Sequence, residues 1–178
     1  MNKALFLDRD GIINVDHGYV YKKEEFEFVK DIFAVCIDAQ NKGFEIFVIT
    51  NQSGIARGKY TVEQFQQLTR WMVEQFKSKG IVISDVYHCP HHPEKGVGDY
   101  KVVCKCRKPE PGMIMLAANE HKIDLDKSVF IGDKVSDIQA AERAGIKNRI
   151  TLIDKYEDDQ AIKAIRIDSI KQASLYIT

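Results

Sequence analysis

The stretch Ala4–Val20, ALFLDRDGIINVDHGYV, places two aspartates directly after a short apolar run. The run at Ala4–Leu7 is typical of a strand that is buried on both faces of a sheet. Burial of this strand does not explain why the carboxylates of Asp8 and Asp10 stand at its end. The glycine and the polar loop that follow indicate that the chain leaves the sheet here, so we expect a functional edge at this point.

Short apolar runs alternate with amphipathic stretches along the rest of the chain. Strands that alternate with helices predict an α/β fold with a central, mostly parallel sheet. After the first strand, the predicted strands are segments 44–50, 84–89, 128–133 and 149–154. The predicted helices are segments 31–43, 61–80, 111–122 and 135–145. The weakly patterned tail after residue 154 suggests one helix and a short strand.

Capping residues mark several of the predicted helix ends. Asp31 is a candidate N-cap for the first helix, and Thr61 stands three residues before Gln64, which is the spacing of a capping box. Gly43 and Gly145 are expected to end their helices, because glycine adopts the left-handed conformation that commonly follows a last turn.

Composition restricts the classes of partner. The chain has 178 residues, which suits one domain over residues 1–178, and 26 basic residues balance 26 acidic ones. Zero net charge disfavours nucleic acid as a partner. No apolar run approaches the length of a membrane span or a signal peptide. We therefore expect a cytoplasmic monomer that acts on a small molecule.

Polar side chains follow three of the predicted strands. Asp8 and Asp10 follow the first, Thr50 and Asn51 end the second, and Asp133 ends the fourth. The carboxyl ends of parallel strands meet at one edge of a sheet, which is where such sheets bind ligands. Carboxylates at one edge repel one another, and Mg²⁺ is the hard cation that suits oxygen ligands and phosphate chemistry.

This group of residues favours phosphoryl transfer. An aspartate can attack phosphorus to form an aspartyl-phosphate, and a second carboxylate two residues on can act as acid and then as base. Thr50 can donate a hydrogen bond, and Lys108 can supply positive charge to the equatorial oxygens. A lone D-x-D would suit an ordinary solvated loop, but Thr50, Lys108 and the segment GDKVSD at 132–137 follow it in order.

Three of the four cysteines lie in one polar window, residues 89–106. The window offers three thiolates and one imidazole, a set that Zn²⁺ binds in closed tetrahedral sites. The candidate ligands are Cys89, His91, Cys104 and Cys106. The alternatives are free thiols or a disulfide within the C-x-C pair, and either His92 or His88 in place of His91.

A zinc ion with four protein ligands would be structural, since it keeps no open position for a substrate. It could order a loop that has little apolar content. Arg107 and Lys108 directly follow Cys106, so zinc would hold this pair over the phosphate edge. Cys36 lies on an apolar helix face and is expected in the core.

The segment DRDG, Thr50, Lys108 and the segment GDKVSD together resemble the four motifs of the haloacid-dehalogenase (HAD) superfamily of phosphatases. The resemblance implies that Asp8 is the nucleophile and Asp10 the general acid/base. It implies a three-layer Rossmann-like fold, and the short insertions after the strands predict no large cap domain.

The same resemblance implies a magnesium site. Asp8, the backbone carbonyl of Asp10 and Asp133 would hold Mg²⁺, with Asp137 in support one turn further on. The chain departs from the superfamily at Ile12, where a threonine usually follows DRDG. That threonine has a local supporting role, so we expect a modest cost rather than an inactive enzyme.

Longer motifs resemble one family of this superfamily, the heptose bisphosphate phosphatases. They are FLDRDG, NVDHGYV, ITNQSGIARG, YHCPHHP, CRKPEPGM and GDKVSDIQAA, and they extend from Ala4 to about Ala144. The resemblance implies hydrolysis of the 7-phosphate of D-glycero-D-manno-heptose 1,7-bisphosphate. The heptose 1-phosphate left would serve synthesis of nucleotide-activated heptose for lipopolysaccharide or other glycans.

The family resemblance also implies a set of substrate contacts. Arg107 would bind the remote 1-phosphate, because a guanidinium pairs well with phosphate. Arg57 is either a further anion contact or a solvated loop residue. The full set of implied contacts is Asp16, His17, Gly18, Tyr19, Asn51, Gln52, Ser53, Arg107 and Lys134.

Two other functions remain open from the sequence. Histidinol-phosphate phosphatases share the aspartates and a similar cysteine loop, but SGIARG, DHGYV and PEPGM are heptose-type segments. A phosphosugar-binding module without turnover is the alternative from another class. The presence of every expected catalytic residue argues against it.

Overall fold

The computed structural model describes residues 1–152 and 162–178, and a sheet of parallel strands lies at its centre. The strands are β1 Lys3–Leu7, β2 Phe44–Asn51, β3 Ile83–Cys89, β4 Val129–Gly132, β5 Asn148–Leu152 and β6 Ile165–Ile167. They lie side by side in the order β3-β2-β1-β4-β5-β6, and every neighbouring pair is parallel. The predicted α/β class is confirmed. Residues 153 and 154 of the predicted fifth strand lie outside the described residues.

Helices cover both faces of this sheet. They are α1 Ile32–Asn41, α2 Ser53–Ala56, α3 Val62–Ser78, α4 Gly112–His121 and α5 Val135–Ala144. Leu5 and Leu7 of β1 join the apolar cluster that includes α1 and α3, whereas Ala4 and Phe6 join the cluster that includes α4 and α5. Successive side chains of a strand point to opposite faces, so β1 supplies both cores and the fold has the three layers expected.

Most predicted helix ends agree with the structure. Thr61 Oγ1 accepts from the Gln64 N–H at 3.1 Å, and the Thr61 N–H donates to Gln64 Oε1 at 2.9 Å, which completes the capping box. Gly43 and Gly145 have φ values of 81° and 94° at the ends of their helices. Asp31 is the N-cap residue of α1, as predicted, but it does not cap the helix with its side chain. Its φ is 69°, and its side chain makes no capping bond because N-cap residues need the extended conformation.

The C-terminal tail and Ile12 both pack into the apolar cluster that includes α1. The expected short strand is β6, and a 3-10 helix at Ile170–Leu175 follows it and packs on α1. Ile12 is fully buried in the same apolar cluster, so the chain accommodates this departure from the superfamily pattern by packing. Among the described residues, no helix combines the length and apolar character needed to cross a membrane.

Candidate active site

Lys108 lies between two buried aspartates at the carboxyl edge of the sheet. Its Nζ is 2.9 Å from Oδ1 of Asp8, which follows β1, and 2.7 Å from Oδ1 of Asp137 in α5. The same Nζ donates to the carbonyl of Ile49 at 2.8 Å. Asp8, Lys108 and Asp137 are 4%, 3% and 1% exposed, so water screens these charges only weakly. The chain thus places the expected nucleophile beside the expected cation.

Asp133, directly after β4, adds a third buried carboxylate. Oxygen atoms of Asp8, Asp133 and Asp137 lie within 4.8 Å of one another. Gly11 makes this approach possible, because a β-carbon at residue 11 would lie 2.1 Å from Oδ2 of Asp133. Burial, and then repulsion from Asp137, raise the pKa of Asp8 well above its usual value, and Lys108 opposes only part of this rise. Three carboxylates beside one buried lysine leave an excess of negative charge.

Asp10 is held by three donors. Its Oδ1 accepts from Arg9 Nη2 at 2.8 Å and from Asn14 Nδ2 at 3.1 Å, and its Oδ2 accepts from Gln52 Nε2 at 3.0 Å. Arg9 is only 2% exposed and also donates to the carbonyl of Val20 at 2.7 Å. Burial alone would raise the pKa of Asp10, but the Arg9 guanidinium and these hydrogen bonds lower it.

Thr50 and Gln52, at the end of β2, belong to one buried network. Gln52 Nε2 donates to Thr50 Oγ1 at 2.8 Å, and the hydroxyl of Tyr60 donates to Gln52 Oε1. The Tyr60 ring stacks on Tyr21, with ring centroids 5.3 Å apart and an interplanar angle of 14°. Gly54 leaves space for this ring, since a β-carbon there would overlap it. Gln52 therefore has defined partners at both ends of its amide.

Asn51 fixes the loop that carries the two predicted cations. Its Nδ2 donates to the carbonyl of Lys108 at 3.1 Å, and its Oδ1 accepts from the N–H of Lys108 at 3.0 Å. Arg107 Nη1 donates to the carbonyl of His91 at 3.3 Å. These bonds tie the end of β2, the Arg107–Lys108 segment and the cysteine loop together.

Two adjoining clefts open onto these groups. The larger, of about 350 Å³, is lined by Asp8 and Arg107 among others, and the smaller, of about 230 Å³, is lined by residues 16, 18 and 19 among others. Both clefts are lined by Asp10, Asn51, Ser53 and Lys134. The clefts therefore bring most of the implied substrate contacts to one place.

Lys134 and Asp16 face each other across the clefts. Lys134 Nζ is 3.6 Å from Oδ2 of Asp16. Burial lowers the pKa of Lys134, but attraction to Asp8 and Asp133, with Asp16 next, raises it further than burial lowers it. Lys134 therefore stays cationic at the mouth of the site.

His17 is the implied contact that the structure places apart. It lines neither cleft, and its half-exposed ring pairs through Nε2 with Oε2 of Glu27 at 2.9 Å. Tyr19, in contrast, lines the smaller cleft, and the Arg57 guanidinium lies 5.9 Å from its ring centroid. A basic side chain is thus available at the rim of that cleft.

The four predicted metal ligands of the cysteine loop form a compact cluster. Cys106 Sγ lies 2.9 Å from Cys89 Sγ and 3.2 Å from Cys104 Sγ, and His91 Nδ1 lies 3.4 Å from Cys106 Sγ. None of the cysteines is in a disulfide, and Cys36 lies apart, fully buried in α1. These separations approach the ~3.8 Å edge of a tetrahedron with ligands about 2.3 Å from a central ion. The cluster can therefore hold a metal.

The two alternative histidines lie outside this cluster. His92 Nδ1 accepts from the backbone N–H groups of Glu94 and Lys95 at 3.1 and 2.9 Å. His88 stacks on Phe65 with ring centroids 4.4 Å apart. His91 is thus the histidine that the fold directs toward the three thiols.

Comparison with known proteins agrees with this arrangement. A D-glycero-beta-D-manno-heptose-1,7-bisphosphate 7-phosphatase of Vibrio cholerae is 44% identical over 98% of this chain and 95% of its own length. A Helicobacter pylori protein of the same name is 50% identical over 85% of this chain and 84% of its own length. The chain belongs to this phosphatase family. A HAD-hydrolase-like family model also matches residues 105–173.

Solved structures extend the family likeness to three dimensions. A D,D-heptose 1,7-bisphosphate phosphatase from B. bronchiseptica, complexed with magnesium and phosphate, has a TM-score of 0.80 and 25% identity, and the match covers 97% of this chain and 96% of that one. A HAD-like phosphatase from Mesorhizobium loti has a TM-score of 0.87 and 32% identity, covering 99% and 86%. The HAD fold expected from the motifs is therefore confirmed.

Among the residues at this site that the sequence did not predict are Arg9, Asn14, Tyr60 and Ser136. Arg9 could have been predicted, because it stands between Asp8 and Asp10 at the end of a buried strand and a buried charge needs a partner. Asn14 and Tyr60 reach Asp10 and Gln52 only through loop geometry. Ser136 lines the larger cleft and had no distinguishing pattern.

Proposed function

We propose that this protein hydrolyses the 7-phosphate of D-glycero-D-manno-heptose 1,7-bisphosphate and leaves heptose 1-phosphate. The observation that carries the proposal is the meeting of Asp8, Asp10 and Lys108 in a cleft of a chain from this phosphatase family. The cleft also has two further cations, Arg107 and Lys134, for a second phosphate. A binding module without turnover would not need a carboxylate pair at such a position.

The donor set fits Mg²⁺. Asp8 and Asp133 are buried carboxylates whose oxygens lie within 4.8 Å of each other and of Asp137, and Mg²⁺ prefers such hard oxygen ligands. We infer that Asp8, Asp133 and the backbone carbonyl of Asp10 hold the ion. When bound, Mg²⁺ would neutralise charge on the phosphoryl oxygens.

The residues of the chain account for two chemical steps. A bond forms between Asp8 and phosphorus while the bond from phosphorus to the C7 oxygen breaks, and the protonated form of Asp10 gives its proton to that oxygen. Asp10 then takes a proton from a water whose oxygen attacks phosphorus, and the bond to Asp8 breaks. Lys108 and the Thr50 hydroxyl stabilise the charge on the transferring group.

The 7-phosphate is the group that this geometry favours. It sits on an exocyclic carbon, so it can reach the buried Asp8 while the sugar ring stays in the clefts. The 1-phosphate would lie near Arg107, and polar side chains such as Asp16 and Ser53 would bind the hydroxyl groups.

We also infer that the cysteine cluster holds a structural zinc ion. Three thiols and one imidazole are the ligands that Zn²⁺ prefers, and they leave no position for a substrate. The protein would act as a cytoplasmic monomer and as a single domain, without nucleic acid or membrane partners.

Phosphorus NMR of a reaction with heptose 1,7-bisphosphate and Mg²⁺ tests the function. We expect heptose 1-phosphate and inorganic phosphate, faster turnover than with histidinol phosphate, and no turnover by a folded Asp8→Asn protein. Accumulation of heptose 7-phosphate would refute the regiochemistry. Faster turnover of histidinol phosphate would favour the other enzyme, and no turnover of any phosphate ester would favour the binding module.

A further inference from the structure

Gln52 has little surface for a substrate to contact. It lines the smaller cleft but is only 2% exposed there, although the family resemblance implies that it binds substrate. Its amide nitrogen donates both to Asp10 Oδ2 at 3.0 Å and to Thr50 Oγ1 at 2.8 Å, and its amide oxygen accepts from the Tyr60 hydroxyl. Its backbone N–H donates to the carbonyl of Cys89 at 2.8 Å, at the end of β3. An amide carries two N–H donors, and both are in use.

Charge and hydroxyl chemistry fix the direction of this amide. The Asp10 carboxylate only accepts hydrogen bonds, so the amide nitrogen of Gln52 must face it and the amide oxygen must face away. The Tyr60 hydroxyl supplies a donor at the position of that oxygen. Its ring is held by stacking on Tyr21, so the donor does not need to be ordered when the substrate binds.

The two oxygens of Asp10 are not equivalent in this network. Oδ1 accepts two hydrogen bonds, from Arg9 and Asn14, whereas Oδ2 accepts one, from Gln52, within the part of the chain that the structure describes. A second lone pair of Oδ2 can therefore carry the proton that leaves with the sugar oxygen. Because Thr50 Oγ1 accepts from Gln52, its own hydroxyl proton points elsewhere, and the bond that it donates to the carbonyl of Asn51 is long, at 3.5 Å.

We propose that Gln52, oriented by Tyr60, is a positioning residue that presents Oδ2 of Asp10 as the proton-carrying atom and directs the Thr50 hydroxyl toward the phosphoryl group. The proposal deepens the proposed function and rests on it for the natural substrate. It assigns Gln52 to the acid/base machinery instead of the sugar-binding surface. Its effect should therefore appear in the step that needs a proton.

Leaving groups of different basicity separate this role from a general loosening of the fold. A sugar alkoxide needs a proton as it leaves, whereas p-nitrophenolate does not. The kcat/KM value reports the first chemical step, in which Asp10 acts as the acid. We expect Gln52→Met to lower kcat/KM for the sugar phosphate by roughly a hundredfold, the scale of a misplaced catalytic group. The loss in kcat/KM for p-nitrophenyl phosphate should be at least about tenfold smaller, and KM for the sugar phosphate should change little.

Tyr60→Phe removes the hydroxyl that donates to Gln52 and keeps the ring stacked on Tyr21. It therefore tests the proposal even if Gln52→Met does not fold. It should produce the same pattern with a smaller loss, and it should add almost nothing in the Gln52→Met background, because the two residues act as one unit. Gln66→Met on the exposed face of α3 and Tyr87→Phe, whose hydroxyl bonds to Glu120, are matched controls that should retain wild-type rates.

Several results would overturn the proposal. Equal losses on the two substrates would indicate general disorder, and a loss confined to KM would return Gln52 to the substrate contacts. Additive effects of the two substitutions would separate Tyr60 from Gln52. If the wild type hydrolyses another sugar phosphate but not heptose bisphosphate, the proposed function is wrong. The role of Gln52 can then still be tested by comparing the losses for that sugar phosphate and for p-nitrophenyl phosphate.

Discussion

Arg107 and Lys108 are neighbours in sequence but have different surroundings. Lys108 is buried against Asp8 and Asp137, whereas Arg107 lines the larger cleft and bonds to the carbonyl of His91. A buried lysine paired with the nucleophile is suited to the reacting phosphoryl group. A guanidinium in the cleft can instead pair with a phosphate elsewhere on the same sugar.

Arg107→Ala should lower kcat/KM for heptose 1,7-bisphosphate by about ten- to a hundredfold, because a charge-assisted contact contributes about 1.5–3 kcal/mol. The loss should be much smaller for heptose 7-phosphate, which has no remote phosphate. Steady-state kinetics on both substrates provide the measurement, and Arg70→Ala on the exposed face of α3 is the control. Equal losses on the two substrates would contradict the role given to Arg107.

The charged residues that the sequence motifs singled out lie close together in the structure. The motifs did not locate Tyr60, which is eight residues beyond Gln52 and approaches it only because α2 turns the chain back. They also assigned Gln52 by analogy to the substrate surface. Burial and hydrogen-bond partners decide such roles, and neither can be derived from one sequence without its packing.

The cysteine loop joins the sheet to the cations. Cys89 ends β3, Cys104 and Cys106 lie just before the Arg107–Lys108 segment, and Gly112 donates to the carbonyl of Lys105 at 3.0 Å as α4 begins. No residue from 90 to 106 is buried, so we expect a bound metal ion to supply most of the order of this loop. The sequence spacing predicted which three cysteines cluster, but it left three histidines as candidates for the fourth position. The path of the loop brings His91 to the cysteines.

His91→Ala should lose the zinc ion that we expect in the purified wild type, whereas His92→Ala should retain about one zinc per chain. The reason is that His91 Nδ1 faces the thiols and His92 Nδ1 accepts backbone hydrogen bonds. Metal analysis of protein purified without added metal, with thiol titration in the native state, provides the measurement. Retained zinc in His91→Ala, or a metal-free wild type with freely reactive thiols, would exclude the site.

Sequence predicts a helix end well when its cause is local, and less well when its cause is the packing of a distant segment. The capping box at Thr61 and Gln64 is a local device, and the sequence predicted it correctly. Asp31 has the right side chain for an N-cap, but the chain enters α1 with Asp31 in the left-handed conformation. That path depends on how the preceding loop packs, with Val29 donating to the carbonyl of Ile13 at 2.9 Å.

At the scale of the whole molecule, the parallel sheet concentrates charge at one edge. The central strands β1 and β4 are buried, so the carboxylates that directly follow them are buried as well. Asp8, Asp133 and Asp137 repel one another across less than 5 Å, and Lys108 balances only part of their charge. Without a bound cation, this repulsion opposes folding and Lys134 offsets only part of it, so we expect Mg²⁺ to stabilise the folded protein.

Mg²⁺ should raise the midpoint of thermal unfolding, and Asp133 should be required for the rise. At one hundred times its Kd, a ligand that binds only the folded state adds about 2.7 kcal/mol, which for a chain of this size corresponds to about 5–10 °C. Asp133→Asn should abolish this shift, yet unfold at a higher temperature than the wild type without Mg²⁺, because one buried charge is gone. Calorimetry at matched ionic strength provides the measurement, with Asp126→Asn, an exposed carboxylate paired with Lys147, as the control. An undiminished Mg²⁺ shift in Asp133→Asn would show that the ion binds elsewhere, and a lower midpoint without Mg²⁺ would show that the three carboxylates do not oppose folding.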